Sequence, residues 1–172
     1  MKLREEILKE HSKAQCNKIV EWVGKSQLRF DELFHLFISD ENLVVQRASW
    51  PVSYCVENFP SLIDKHYTSL IKKLQEPGVH EAVKRNSMRL LEVAVIPEEH
   101  EGSIMDLAFQ FLASPTASVA TKAFSVSVLE NLAKRYPEII PEIKTILESQ
   151  PNNKTASINA RAKRLFKKFK IA

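Results

Sequence analysis

The chain has 172 residues, 44% hydrophobic and 27% charged, a balance that places it with ordinary soluble globular proteins. With only 3 glycines and 8 scattered prolines it holds no low-complexity stretch and no Gly/Ser linker, and 2 cysteines are too few for a disulfide framework. Net charge is +4, and no window approaches 18 uninterrupted apolar residues, which excludes a membrane-spanning helix.

In chain order, the opening "MKLREEILKEHSKAQCNKIVEWV" is charged throughout and is not expected to be an export signal. Cys16 and Cys55 therefore read as reduced, small, buried residues of a cytoplasmic protein. Helical spacing of apolar residues then runs almost to the end: "SKAQCNKIVEWV", "QLRFDELFHLFI", "LVVQRASWPVSY", "PSLIDKHYTSLIKKL", "EAVKRNSMRLLE", "PEEHEGSIMDLAFQFL", "SVATKAFSVSVL", "PEIIPEIKTILES" and "SINARAKRLFKK". Pro60, Pro77, Pro97, Pro115, Pro137 and Pro151 each stand at or just before a predicted helix start, where a missing N–H costs nothing. Two prolines fit less easily. Pro51 predicts a kink or a late helix start, whereas Pro141, four residues after Pro137, falls near a first turn.

Four of these segments superpose on a basic residue. Arg47, Arg85, Lys122 and Arg161 form one column, at steps of 38, 37 and 39. Three residues earlier stand Val44, Ala82, Val119 and Ile158; one later stand Ala48, Asn86, Ala123 and Ala162. Columns four apart share one helix face, so small residues there let successive helices approach closely. The intervening helices, beginning at Pro60, Pro97 and Pro137, match one another through an early acid and a closing apolar run. "QLRFDELFHLFI" is an earlier copy of this first type, and "SKAQCNKIVEWV" of the second, with Lys13 in register.

A two-helix repeat of about 38 residues resembles the HEAT or armadillo class of α-solenoids. The resemblance implies an all-α fold, a right-handed α–α superhelix of about four to five HEAT-like helix pairs forming one domain over residues 1–172. That family's aspartate ladder is not reproduced: Asp40 lies seven residues before Arg47, but Gly78, Pro115 and Lys154 occupy the equivalent positions. What the resemblance implies functionally is a non-enzymatic module that offers a concave face of second helices to a protein or peptide. The alternative is a nucleic-acid-binding protein, since a family of DNA alkylation-repair glycosylases shares the architecture. No motif of those enzymes matches here, and no catalytic residue is carried over.

Candidate contact residues come from the columns. Arg47, Arg85, Lys122 and Arg161 either line the concave face and grip phosphates or acidic peptides, or cap carbonyls of neighbouring repeats. Beside them, Trp50, Tyr54, Met88 and Arg89 make either a hot-spot cluster or, for Trp50, a core contact at a kink. The five histidines lack companions at metal-ligand spacing, and "PEEHEG" around His100 reads as a helix start whose Glu98 and Glu99 serve the dipole. Neither a nucleophile motif nor a Gly-rich phosphate loop is present, so no cofactor, metal or catalytic residue is expected.

Charge is unevenly spread. Residues 151–172 hold seven basic groups and no acid, leaving 18 basic against 21 acidic residues, a balance of −3, in 1–150. Within "NARAKRLFKKFKIA", Ile158, Ala162, Leu165, Phe166 and Phe169 fall in an apolar arc of about 100°. Residues 154–172 thus read as a basic closing helix docked by that stripe, whose outer face, with Lys163, Arg164, Lys167 and Lys168, is a candidate surface for an anionic partner. Membrane association is not expected.

Overall fold

Two devices start the helices of this chain. In the computed structural model, which describes residues 1–39, 41–149 and 155–170, every regular element among the described residues is helical. They are α1 (Leu3–Lys9), α2 (Lys13–Val23), α3 (Gln27–Ser39), α4 (Asn42–Asn58), α5 (Tyr67–Gln75), α6 (Glu81–Val93), α7 (Glu98–Ala113), α8 (Val119–Leu132), α9 (Ile140–Ser149) and α10 (Ala156–Lys168). Most helices of the second type are capped by a side chain that accepts an otherwise orphaned N–H. Ser12 accepts from Gln15 at 3.1 Å in α2, His80 from Ala82 at 3.1 Å in α6, Ser118 from Thr121 at 3.2 Å in α8, and Thr155 from Ile158 at 3.5 Å in α10. Three helices of the first type rely on proline instead: Pro97 precedes α7, and Pro60 and Pro137 open 3-10 turns (Pro60–His66 and Pro137–Ile139) that run into α5 and α9. At α3, by contrast, the Ser26 hydroxyl accepts from the Arg29 N–H at 3.4 Å. Pro141 is the second residue of α9, where it displaces no hydrogen bond.

Pro51 does not delay its helix. α4 begins at Asn42 and runs 17 residues straight through it. Nine residues of helix precede the proline, and the surrounding Val44, Ala48, Val52, Cys55 and Val56 are all buried. An internal proline costs about 3 kcal/mol, a cost that burying a stripe of this size offsets. Pro77 and Pro115 lie in the loops ahead of α6 and α8. Asp40, Pro151 and Lys154 lie outside the described residues.

The chain forms two compact units, Met1–Ile96 and Pro97–Ala172. In the first, α4 is the hub: α3, α6, α2 and α1 all pack on it. Phe30, Leu33, Phe34 and Phe37 of α3 are buried at its base. In the second, α8 takes the same position, between α7 and α10, and α9 packs on α7. From Thr121 to Glu130 only Phe124 escapes full burial, as expected of a helix covered on nearly every side.

The small-residue column lies in these contacts. Ala48, Asn86, Ala123 and Ala162 are all buried. Where alanine gives way to Asn86, its amide donates to Ser49 Oγ at 2.9 Å, so the polar group is paired across the α4–α6 contact. The column three residues earlier is less uniform: Val44 and Ile158 are buried, Ala82 is half-buried, and Val119, the first residue of α8, is exposed.

A second regularity ties helices of the first type to later segments of the chain. Asp31 of α3 accepts from Lys65 Nζ at 2.6 Å and pairs with His66 Nε2 at 2.8 Å. Glu101 of α7 accepts from Arg135 Nη1 at 2.9 Å and from the Tyr136 hydroxyl at 2.6 Å. All three positions advance by 70 residues, from 31 to 101, 65 to 135 and 66 to 136, so one polar latch is used twice. Each latch ties a carboxylate to the segment that leads into the next first-type helix. It repeats because the helices it joins repeat.

The close approach at the alanine column has a measurable consequence. Ala48→Leu and Ala123→Leu are expected to lose about 1–3 kcal/mol in urea denaturation, because no space exists for three more carbons. Ala14→Leu, on the exposed face of α2, should change stability by less than about 0.5 kcal/mol. Equal effects at the three sites would contradict the close packing.

Candidate partner-binding face

The basic column divides sharply once the side chains are placed. Arg47 Nη1 donates to the Leu8 carbonyl at 2.8 Å, satisfying an acceptor in the last turn of α1. Arg161 donates to Ser127 Oγ at 3.0 Å and Ser157 Oγ at 3.2 Å, and its guanidinium lies 5.3 Å from the centre of the Phe124 ring. Lys122 is 1% exposed, and burial lowers its pKa. Of the two readings of the column, caps and core contacts within the chain or a contact surface, these three take the first. Arg85 differs: it is half-buried on α6, and its side chain has no partner among the described residues.

Around Arg85 the second helices of the first unit carry a ladder of rings and charges. The His11 ring lies 5.5 Å from Trp50, centre to centre, and Trp50 lies 6.0 Å from Tyr54 in an edge-on arrangement. The Arg89 guanidinium then sits 4.4 Å from the centre of the Tyr54 ring, at cation–π distance. Glu57 holds the same guanidinium through both carboxylate oxygens. Burial alone would lower the Arg89 pKa, but the Glu57 carboxylate more than offsets it and leaves the value raised. Trp50, Tyr54, Arg85 and Arg89 are all half-buried, so each keeps part of its surface in solvent.

Met88 does not belong with them. It shares a column with Trp50 but is 0% exposed, in the buried stretch of α6 that packs toward α4. An unbranched thioether fills irregular core space well, and here it has no surface left for a partner.

Behind the ladder lie the two thiols. Cys16 of α2 and Cys55 of α4 are both buried, and desolvation raises each pKa to about 12. A thiol held that high is a small apolar side chain and a poor nucleophile.

In the second unit the expected anionic-partner face is half committed. Glu130, nearly buried on α8, accepts from Arg164 Nε at 2.8 Å and from Lys168 Nζ at 3.2 Å. Desolvation pushes the Glu130 carboxyl up, yet the bonds from Arg164 and Lys168 outweigh it, and the pKa ends below its usual value of 4.5. Lys163 and Lys167 are exposed, with no side-chain partner among the described residues. Ile158, Ala162 and Leu165 are buried, whereas Phe166 and Phe169 keep partial exposure.

Elsewhere, an open cleft of about 300 Å³ lies between the start of α4 and the loop before α6, lined by Leu43, Val45, Gln46, Lys73, His80 and Val83 among others. It holds none of the expected contact residues, and its Lys73 is paired with Glu76 at 2.8 Å. Among the described residues no group of three or more His, Cys, Asp or Glu side chains could hold a metal ion, and no helix is long and apolar enough to cross a membrane. The acidic start of α7 does more than serve a helix dipole, since its Glu101 turns inward to bind Arg135 and Tyr136.

The sequence columns do not single out His11, Glu57 or Glu130. Glu57 stands three residues after Tyr54, and Arg89 occupies the next helix of the same type, so a search for acids one turn beyond the aromatic pair would have found it. Nothing in the sequence pointed to His11, whose place comes from the path between α1 and α2.

The titrations lead to two expected outcomes. Glu130, with its lowered pKa, contributes stability that is fully present above its unfolded value of 4.5 and is lost as pH falls through the lower folded value. Glu130→Gln should therefore cost about 1 kcal/mol at pH 7, a modest loss because Arg164 and Lys168 can return to water, and should flatten the acid limb of the stability–pH curve. An unchanged acid limb would remove Glu130 from that account. For the thiols, labelling of the folded chain at pH 8 should be about a thousandfold slower than in urea, from the fall in thiolate fraction alone. Labelling at the unfolded rate would contradict their burial.

Comparison with curated proteins finds no match, and comparison with solved structures finds none either. The family model for the HEAT repeat domain matches residues 3–169, nearly the whole chain. That match, the paired helices and the recurring columns agree: the chain belongs to the HEAT repeat family.

Proposed function

We propose that the protein is a non-enzymatic scaffold of HEAT repeats, working in a reducing compartment, that binds a protein or peptide through the second helices of its first unit. The observation carrying this reading is the half-exposed pair Trp50 and Tyr54 beside Arg85 and Arg89. Aromatic and arginine side chains in a partly desolvated cluster are the residue types that dominate binding energies. The cluster is also braced from behind: Tyr54 is held by Arg89, Arg89 by Glu57, and Trp50 by His11, so little side-chain entropy remains to be lost on binding.

Nucleic acid is the weaker reading. Arg47, Lys122 and Arg161, the cations best placed by sequence to track a phosphate backbone, are bonded within the chain or buried. The first unit carries 14 basic and 13 acidic residues, a net charge of +1 that supplies little of the counterion release on which such binding depends.

The test is selection of peptides from a random library on the immobilised full chain, followed by affinity measurements on variants. Trp50→Ala and Tyr54→Ala are expected to weaken selected peptides by at least about tenfold, roughly 1.4 kcal/mol, while Lys163→Gln and Lys167→Gln leave them unchanged. Retention of nucleic acid alone, with affinity collapsing on added salt, would overturn the proposal.

A further inference from the structure

The ladder on α4 and α6 has one complete rung and one incomplete rung. In the complete rung, Arg89 of α6 stacks on Tyr54 of α4, 35 residues earlier, and is neutralised by Glu57, three residues beyond Tyr54. Four residues earlier along both helices, about one turn, lies the next rung: Arg85 on α6, Trp50 on α4, and Ser53 in the place of Glu57. Ser53 is fully buried and donates to the Trp50 carbonyl at 2.8 Å, so it cannot serve as a counter-charge. Arg85 has no side-chain partner among the described residues, whereas every other arginine of the column is bonded. Trp50 remains half-exposed, braced by His11 on one side and Tyr54 on the other. The second rung thus has a cation and a ring at the matching positions, but Arg85 is not stacked on Trp50 as Arg89 is on Tyr54, and no carboxylate among the described residues holds it.

We infer that the missing carboxylate is supplied by the partner: Arg85 and Trp50 form a subsite for an acidic peptide, one carrying Asp or Glu beside an apolar residue. This rests on the binding face proposed above and names the chemistry that it selects. The Arg85 guanidinium, one turn from the Arg89 stack, offers paired N–H donors to a carboxylate, and the partly exposed Trp50 ring on the adjoining helix offers a flat apolar surface to a neighbouring side chain. A peptide suits the subsite better than a nucleic acid. The subsite offers a single open cation, its neighbours Arg47 and Arg89 are already engaged, and a phosphate backbone draws its affinity from many simultaneous contacts. Charges facing the site from its own helix are Glu81, Lys84, Arg89 and Glu92; Glu81, Lys84 and Glu92 have contacts of their own, and Arg89 is bound by Glu57.

The full-length chain carrying Trp22→Phe leaves Trp50 as its one tryptophan and so as the fluorescent reporter. The probes are end-capped hexapeptides with Glu or Asp next to Phe or Leu, each paired with its Gln or Asn counterpart. Acidic peptides are expected to perturb Trp50 emission and bind at least about tenfold more tightly than their amide counterparts, the worth of a charge-assisted bond. Arg85→Gln should erase that discrimination, Arg85→Lys should keep part of it, and Lys167→Gln should leave it intact, with circular dichroism confirming that each variant is folded. Peptides that bind through Trp50 without preferring acid over amide, or an Arg85→Gln chain that keeps the preference, would overturn this inference and leave the binding face standing. Duplex or single-stranded oligonucleotides binding with a steep salt dependence, while no peptide does, would overturn both.

Discussion

A pair of helices this short cannot cover its own apolar face, and every other feature of the chain answers to that constraint. Each pair must lend its face to a neighbour, and the second helices do so most closely. There the residue after the basic column is alanine three times and asparagine once, each buried. Bulk at that level would hold successive helices apart and open voids beside Val44, Val52 and Ile158. Asn86 keeps the spacing because Ser49 satisfies its amide. α4 and α8, covered from several directions, are consequently the hubs of their units.

The same constraint explains where the polar groups went. When neighbouring helices come together at a period near 38 residues, partners across a contact are separated by a similar count. Arg47 reaches Leu8 over 39 residues, Arg161 reaches Ser127 over 34, and Arg164 reaches Glu130 over 34. The recurring latch of Asp31 and Glu101 has the same origin. A column of basic residues in a repeat protein is therefore ambiguous by construction. Its members lie where a ligand could meet them and also where an adjoining helix end or hydroxyl needs a donor. In this chain the second use took Arg47 and Arg161, burial took Lys122, and Arg85 was left.

Function in such a molecule comes from departures from its regularity. The ladder of His11, Trp50, Tyr54, Arg89 and Glu57 is a local elaboration on a repeated framework, and its counterpart in the second unit is built differently. There Phe124 and Arg161 make the stacked pair, and Glu130 gathers Arg164 and Lys168. The first arrangement keeps aromatic surface half-exposed; the second neutralises two of its cations within the chain. A partner that discriminates between the two faces would find rings and one open guanidinium on the first, and unpaired lysines on the second.

The helical class, the repeat and its small-residue column were legible in the sequence, because each is a periodic property and periodicity survives without coordinates. So was the buried stripe of Ile158, Ala162 and Leu165. Three matters were decided only in three dimensions. Pro51 sits inside a continuous helix, since burial along α4 outweighs the local preference to break. Met88 and Trp50 occupy one column yet face opposite fates, one buried and one half-exposed, because alignment gives the level along a helix and packing gives the exposure. The partners of the basic column were equally out of reach. A guanidinium extends several ångströms from its backbone, and which acceptor it meets depends on the neighbouring helix end, not on any residue beside it in the chain.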